Sequence, residues 1–259
     1  MDLGIKGRTA VVCASSRGLG YACAKHLAEA GCTVVINGRD GARLDAAAAR
    51  LREETGAEIV GVTADLADPA GRDELLAAVP QVDILVNNNG GPPSRDFRQI
   101  DHEGLLKGVE GNMLVPIALV QAVIDGMMER RFGRIVNITS GSVKAPLPGL
   151  DLSSGARAGL TGFLAGVARQ VAHANVTINF LLPGAFDTDR LTSLMTTAAE
   201  KSGKDLDTIR AERAGKVPSA RIGVPDEFGA ACAFLCSTHA GYIVGQSLLI
   251  DGGAFPGVL

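Results

Sequence analysis

Short apolar runs rich in β-branched residues recur along the chain, and between them apolar positions fall every three or four residues. The runs predict strands over 9–14, 33–37, 58–62, 82–87, 134–139, 176–181 and 247–250. The intervening stretches predict helices over 18–30, 42–54, 69–79, 105–130 and 154–172. Strands separated by helices need crossover connections, which favour one parallel sheet covered on both faces. Right-handed crossovers make that sheet doubly wound. No repeat, low-complexity tract or linker breaks the pattern, so residues 1–259 read as a single α/β domain. Only 187–219 departs from it, being polar and helix-prone with few strand formers. Ligands bind at the carboxyl ends of strands in such sheets, so this insertion is expected to be a substrate lid, although a surface excursion without a role fits the same residues.

Composition narrows the classes. Hydrophobic residues make up 46% and charged residues 20% of the 259, which excludes a disordered chain. A net charge of −3 offers no footprint for nucleic acid or an anionic membrane. The longest apolar stretch, 113–124, is interrupted by Pro116 and Gln121, short of the ~20 residues of a membrane span. With no apolar segment at the N-terminus, the chain is expected in the cytoplasm. The five cysteines form no CxxC pair, and Cys232 and Cys236 read as buried thiols of one helix, so no metal is expected.

The first strand runs into Ser15-Ser16-Arg17-Gly18-Leu19-Gly20 and then an alanine-rich helix. That order suits a Rossmann-type nucleotide site, because Gly18 and Gly20 let the backbone and helix N-terminus approach a pyrophosphate. The second strand ends at Asn37-Gly38-Arg39-Asp40. An NAD site usually places a carboxylate at this strand end. Here Arg39 and Arg17 supply two guanidinium groups suited to a 2′-phosphate, and Asp40 reads as a helix N-cap. NADP(H) is therefore the expected cofactor.

With these motifs the chain resembles the short-chain dehydrogenase/reductase family, and within it the 3-oxoacyl-[acyl-carrier-protein] reductases. The resemblance rests on the glycine loop, Ala64-Asp65-Leu66, Asn87-Asn88-Asn89-Gly90, Gly133 to Ser140, Pro183-Gly184 through Thr188, and Gly245 to Gly253. It implies that Asp65 and Leu66 lie at the adenine, that Asn88 and Gly90 pass beneath the nucleotide, and that Pro183, Gly184 and Thr188 approach the nicotinamide. It also implies a homotetramer or homodimer and a small-molecule substrate. The glycine loop opens with Cys13-Ala14, where the family usually has Thr-Gly.

The family's reductases use an Asn, a Ser and a Tyr-x-x-x-Lys pair. Asn112 and Ser140 match the first two. The segment resembling the third reads Ser153-Ser154-Gly155-Ala156-Arg157, so Ser153 and Arg157 stand where Tyr and Lys are expected. The chain's two tyrosines, Tyr21 beside the glycine loop and Tyr242 near the C-terminus, are not placed to substitute. A serine hydroxyl has no titration near neutral pH comparable to a tuned phenol, and Arg157 does not release a proton. Arg157 can still hold a ribose or an anion; Lys144 and Asp151 are the nearest substitutes as proton carriers, although a solvated surface charge fits each as well, and His173 falls at the far end of the helix. Three readings stay open: an atypical NADP(H)-dependent oxidoreductase acting on a carbonyl or alcohol, with a 3-oxoacyl thioester among its substrates; a non-redox lyase or dehalogenase on the same fold; and a catalytically silent nucleotide binder.

Overall fold

Alternating residues of each central strand enter two different cores, which is why the strands read as continuous apolar runs. Ala10 and Val12 point to one face with Leu27, Leu44, Leu51 and Phe228, whereas Val11 and Cys13 point to the other with Leu75, Leu119, Leu160 and Leu164. The structure is a computed structural model and describes residues 1–92 and 94–257. Its first half comprises β1 (Thr9–Val12), α1 (Gly18–Glu29), β2 (Thr33–Gly38), α2 (Gly41–Thr55), β3 (Ile59–Thr63), α3 (Pro69–Ala77) and β4 (Ile84–Asn87). Next come α4 (His102–Val109), α5 (Val115–Glu129), β5 (Gly133–Ile138), α6 (Asp151–Val171) and β6 (Val176–Pro183). Helices α7 (Asp189–Ser202), α8 (Leu206–Gly215) and α9 (Pro225–Cys236) precede β7 (Ser247–Ile250).

The seven strands form one parallel sheet in the order β3-β2-β1-β4-β5-β6-β7. The chain reverses direction across the sheet between β1 and β4, and the crevice at such a switch point is where ligands sit. Helices α1, α2 and α9 cover one face, and α3, α5 and α6 the other. Leu27, Leu44 and Leu51 are each at most 1% exposed, and burying each contributes about 2–3 kcal/mol. Asp40 caps α2 by accepting from the Arg43 N–H, as its sequence position predicts.

Several boundaries differ from the pattern, among them a β4 that starts at Ile84, an α6 that starts at Asp151 and a β6 that runs on to Pro183. Strand β1 ends at Val12 rather than 14 because Ala14 adopts a left-handed φ of +45° that turns the chain into the glycine loop. The helix expected over 105–130 begins at His102 and is interrupted by a π-turn at Glu110–Leu114. By length and composition His102–Glu129 would suffice to cross a membrane, more than the 113–124 stretch indicated. Yet Val115, Leu119, Val120, Val123 and Met127 are buried against the sheet, as in the core helix of a globular domain. Residues 187–219 form α7, α8 and their flanks, packed through Leu191, Met195 and Ile222.

Candidate active site

The glycine loop is shaped by close approach. A Cβ on Gly20 would lie 2.6 Å from the Ala14 carbonyl oxygen and 2.7 Å from Asn88 Nδ2, so only glycine fits there. Asn88 Nδ2 donates to that same carbonyl at 3.0 Å, joining the loop after β4 to the loop after β1. Helix α1 has no side-chain N-cap bond and no acidic residue in its first turn, so its amide dipoles are uncompensated. Ser15 is fully buried, and its hydroxyl donates to the Val12 carbonyl at 2.6 Å and accepts from the Asn37 N–H at 3.1 Å. Its own N–H is spent on the Asn37 carbonyl at 2.8 Å, so Ser15 ties β1 to β2.

Around this loop the charged groups are exposed and paired. Arg39 faces Asp65 at 3.7 Å, and Arg17 faces Asp189 at the start of α7 at 3.1 Å. Ser16 packs against the β2 end, where a Cβ on Gly38 would come within 3.3 Å of its side chain. Asp65 accepts from the Ala67 N–H, fixing the turn that carries Leu66. A cleft of about 480 Å³ opens between the loop and α7, with Ser16, Arg17, Gly18, Thr188 and Asp189 on its walls. Thr188 caps α7 by accepting from Leu191 N–H at 3.4 Å. Pro183 ends β6, and Gly184 lies so close to Asp251 that a Cβ there would be 2.6 Å from the Asp251 Cβ. Gly90 faces open space.

At the carboxyl end of β5, Ser140 Oγ accepts from both the Ser142 N–H (3.1 Å) and the Ser142 hydroxyl (2.9 Å). Both bonds lie on the side of the short helix Gly141–Val143. Asn112 sits in the π-turn with Nδ2 on the Gly108 carbonyl at 3.1 Å, and its buried Oδ1 has no partner among the described residues. Ser153 and Arg157 are one turn apart on α6 and bonded to each other, Arg157 Nε donating to Ser153 Oγ at 3.1 Å. Arg157 also donates from Nη1 to the Ile138 carbonyl at 2.6 Å and from Nη2 to the Asn89 carbonyl at 3.1 Å. Burial first, and the charge of Arg190 second, push its pKa down to about 10. It remains a cation at neutral pH.

The other candidates for proton transfer stand elsewhere. Tyr21 is committed to Arg50 (2.6 Å) and Glu54 (3.1 Å), and Tyr242 is fully exposed. Lys144 lies 5.9 Å from the Phe255 ring, Asp151 is exposed at the start of α6, and His173 lies past its far end.

A family profile described as Enoyl-(Acyl carrier protein) reductase matches residues 13–254. The chain is 33% identical over 263 residues to the 3-oxoacyl-[acyl-carrier-protein] reductase FabG of Aquifex aeolicus, covering 98% of this chain and all of that one. It belongs to the short-chain dehydrogenase/reductase family. The FabG of Escherichia coli is 34% identical over 259 residues, covering 98% and 99% of the two chains. Among solved structures, the L-sorbose reductase of Gluconobacter frateurii complexed with NADPH and L-sorbose superposes with a TM-score of 0.95, 29% identity and full coverage of both chains. A 3-oxoacyl-(acyl-carrier-protein) reductase of Agrobacterium tumefaciens with NADP bound gives 0.88 at 27% identity, covering 97% and 96%.

Within this short-chain dehydrogenase/reductase domain, two groups of residues escape a sequence reading. Asn89 donates to the Gly111 carbonyl and so ties the loop after β4 to the π-turn that holds Asn112. Its only signal was its place in the Asn87-Asn88-Asn89-Gly90 motif. Arg190 reaches from α7 to the carbonyls of Gly91 (3.0 Å) and Pro92 (3.4 Å), and nothing in its sequence context marks it. All five cysteines are buried free thiols, as expected for Cys232 and Cys236, and no group of three metal-ligating residues occurs among the described residues.

Proposed function

We propose that this protein is an NADP(H)-dependent oxidoreductase acting on a carbonyl or alcohol, with Ser140 as the group that binds the substrate oxygen. The uncapped N-terminus of α1, with a loop in which Gly20 admits no Cβ, carries the nucleotide half of this reading. These residues fit a dinucleotide, because bare amides and an acid-free first turn are what a pyrophosphate requires. When bound, the nicotinamide supplies or accepts the hydride. The doubly accepting Ser140 hydroxyl keeps its proton for the substrate oxygen, where charge develops during reduction. Ser153 and Arg157 stand in for the family's tyrosine and lysine. Arg157 orders Ser153, the β5 end and the Asn89 loop, and Ser153 adds a second donor without being an indispensable acid. The proton itself comes from water, Ser140 or a substrate group, and Asn112 Oδ1 offers an acceptor for an ordering water. A 3-oxoacyl thioester remains a candidate substrate on the relatives' activity.

Residues 187–219 act as a lid in this reading, supported by Arg17–Asp189 and by Arg190 on Gly91, both of which bridge the cleft. Gly18, Leu19, Asp65, Leu66, Asn88, Gly90, Pro183, Gly184 and Thr188 line the nucleotide, and free buried thiols fit a reducing cytoplasm. The preference for NADP(H) rests on Arg17 and Arg39. Their exposed ion pairs are worth about 0–1 kcal/mol each, so both arginines are readily released to a 2′-phosphate. Arg39→Ala should weaken NADPH binding about tenfold or more, measured by fluorescence titration, and leave NADH nearly unchanged. Equal losses for the two nucleotides would remove the assignment.

A homo-oligomer follows from the small-residue face of α6. Gly155, Gly162 and Gly166 each have nothing within 4 Å of a notional Cβ, and Phe163 between them is 48% exposed. Such a face allows close approach of a second copy's helix. Light scattering at micromolar concentration should give a dimer or tetramer; a monomer would refute this assembly.

A further inference from the structure

We infer that the substrate carries a carboxylate close to the carbonyl that is reduced, and that Arg190 binds that carboxylate with Arg157 behind it. This rests on the reductase reading above and narrows its substrate class to small oxo acids. Two arginines converge on one loop, the segment after β4. Arg157 holds the Asn89 carbonyl from α6, and Arg190 holds the Gly91 and Pro92 carbonyls from α7. Every one of these acceptors is neutral. Neither guanidinium has a carboxylate within 4 Å among the described residues.

The acids that flank Arg190 in sequence are already taken. Asp187 is held in a two-bond pair by Arg210 at 3.1 and 2.6 Å, and Asp189 pairs with Arg17 at 3.1 Å. Arg157 is 7% exposed. A cation buried that far without a counter-ion is costly, and a second cation near enough to lower its pKa adds to the cost. An anion bound between them relieves both terms. The nucleotide's own pyrophosphate does not serve, since it is placed at the N-terminus of α1.

Arg157 ties this loop to the strand end that carries Ser140. Its Nη1 binds the Ile138 carbonyl, and Ser140 follows two residues later. A carboxylate held by the loop arginines and a carbonyl at Ser140 then belong to one short chain, as in a small 2-oxo or 3-oxo acid. Arg190 is exposed and forks in plane, as bidentate carboxylate recognition requires.

The test is calorimetric titration of the protein, with and without NADP⁺, using pyruvate, 2-oxobutyrate and acetoacetate beside their methyl esters. At least one acid should bind about tenfold tighter than its ester, a difference that shrinks at high salt. Arg190→Gln should bring acid affinity down to that of the ester, and Arg190→Lys should recover part of it, with circular dichroism confirming that both variants fold. Acids binding no tighter than esters, no binding by any acid, or equal losses for acid and ester in Arg190→Gln would each overturn the inference. NADPH oxidation with the same panel separates this from the reductase reading. Turnover of esters in preference to acids leaves the reductase standing and removes the carboxylate site. Arg190-dependent acid binding without any turnover does the reverse.

Discussion

Ser140→Ala is expected to lower carbonyl turnover about 10²–10³-fold while leaving NADPH affinity unchanged. The Ser140 hydroxyl is held by two hydrogen bonds from Ser142, which fix its oxygen at the β5 end. Removing it takes away a donor aimed at the developing oxyanion, a loss felt in kcat more than in KM. Ser153→Ala should act differently. Ser153 accepts from Arg157 Nε, which polarises its hydroxyl but gives it no base to return a proton to. A loss of less than about tenfold is expected, since an aliphatic hydroxyl is a weak general acid. If Ser153→Ala instead abolishes an activity the parent shows, Ser153 is an activated group and the roles of the two serines are reversed.

The second large effect is a gain. In the reading proposed above, Ser153→Tyr combined with Arg157→Lys recreates the family's pair and should raise carbonyl reduction by about 10²-fold, the lower range for a placed general acid. The same change carries a stability cost. Arg157 alone satisfies Ile138 O, Asn89 O and Ser153 Oγ, and a lysine has one nitrogen where arginine has three. A carbonyl left buried and unpaired costs about 1–3 kcal/mol, so the double variant should melt several degrees below the parent. A rise in kcat together with a fall in melting temperature separates this arrangement from one in which the arginine is merely tolerated. No gain in turnover, with NADPH still bound, would show that residues 153 and 157 do not lie where the proton is transferred.

Much of the fold was legible because both cores draw on the same strands, and period-two burial on two faces leaves a continuous apolar run for each. Seven strands and the helices over 18–30, 42–54, 69–79, 105–130 and 154–172 followed from that pattern, whereas α9 did not. What it missed were places where one residue's backbone or reach decides the matter. Ala14 carries no mark of a left-handed φ, since alanine elsewhere in the chain builds helices. The π-turn at Glu110–Leu114 hides inside an amphipathic pattern that accommodates one extra residue without a change of face. Ser15 sits in a loop whose neighbours face the cleft, and only its zero exposure shows that its hydroxyl turns inward. The nucleotide loop was readable because glycine spacing reports backbone proximity directly. Arg190 was not, because its partners are carbonyls distant in sequence, and a carbonyl is present on every residue.

Steady-state NADPH oxidation by the parent protein and by Ser140→Ala, over 3-oxoacyl esters, simple ketones and small oxo acids, tests the assigned chemistry most directly. The parent is expected to oxidise NADPH only when a carbonyl substrate is present, and Ser140→Ala to lose about two orders of magnitude of that rate. NADPH that binds but is oxidised with no carbonyl in the panel, or a Ser140→Ala variant as fast as the parent, would contradict it.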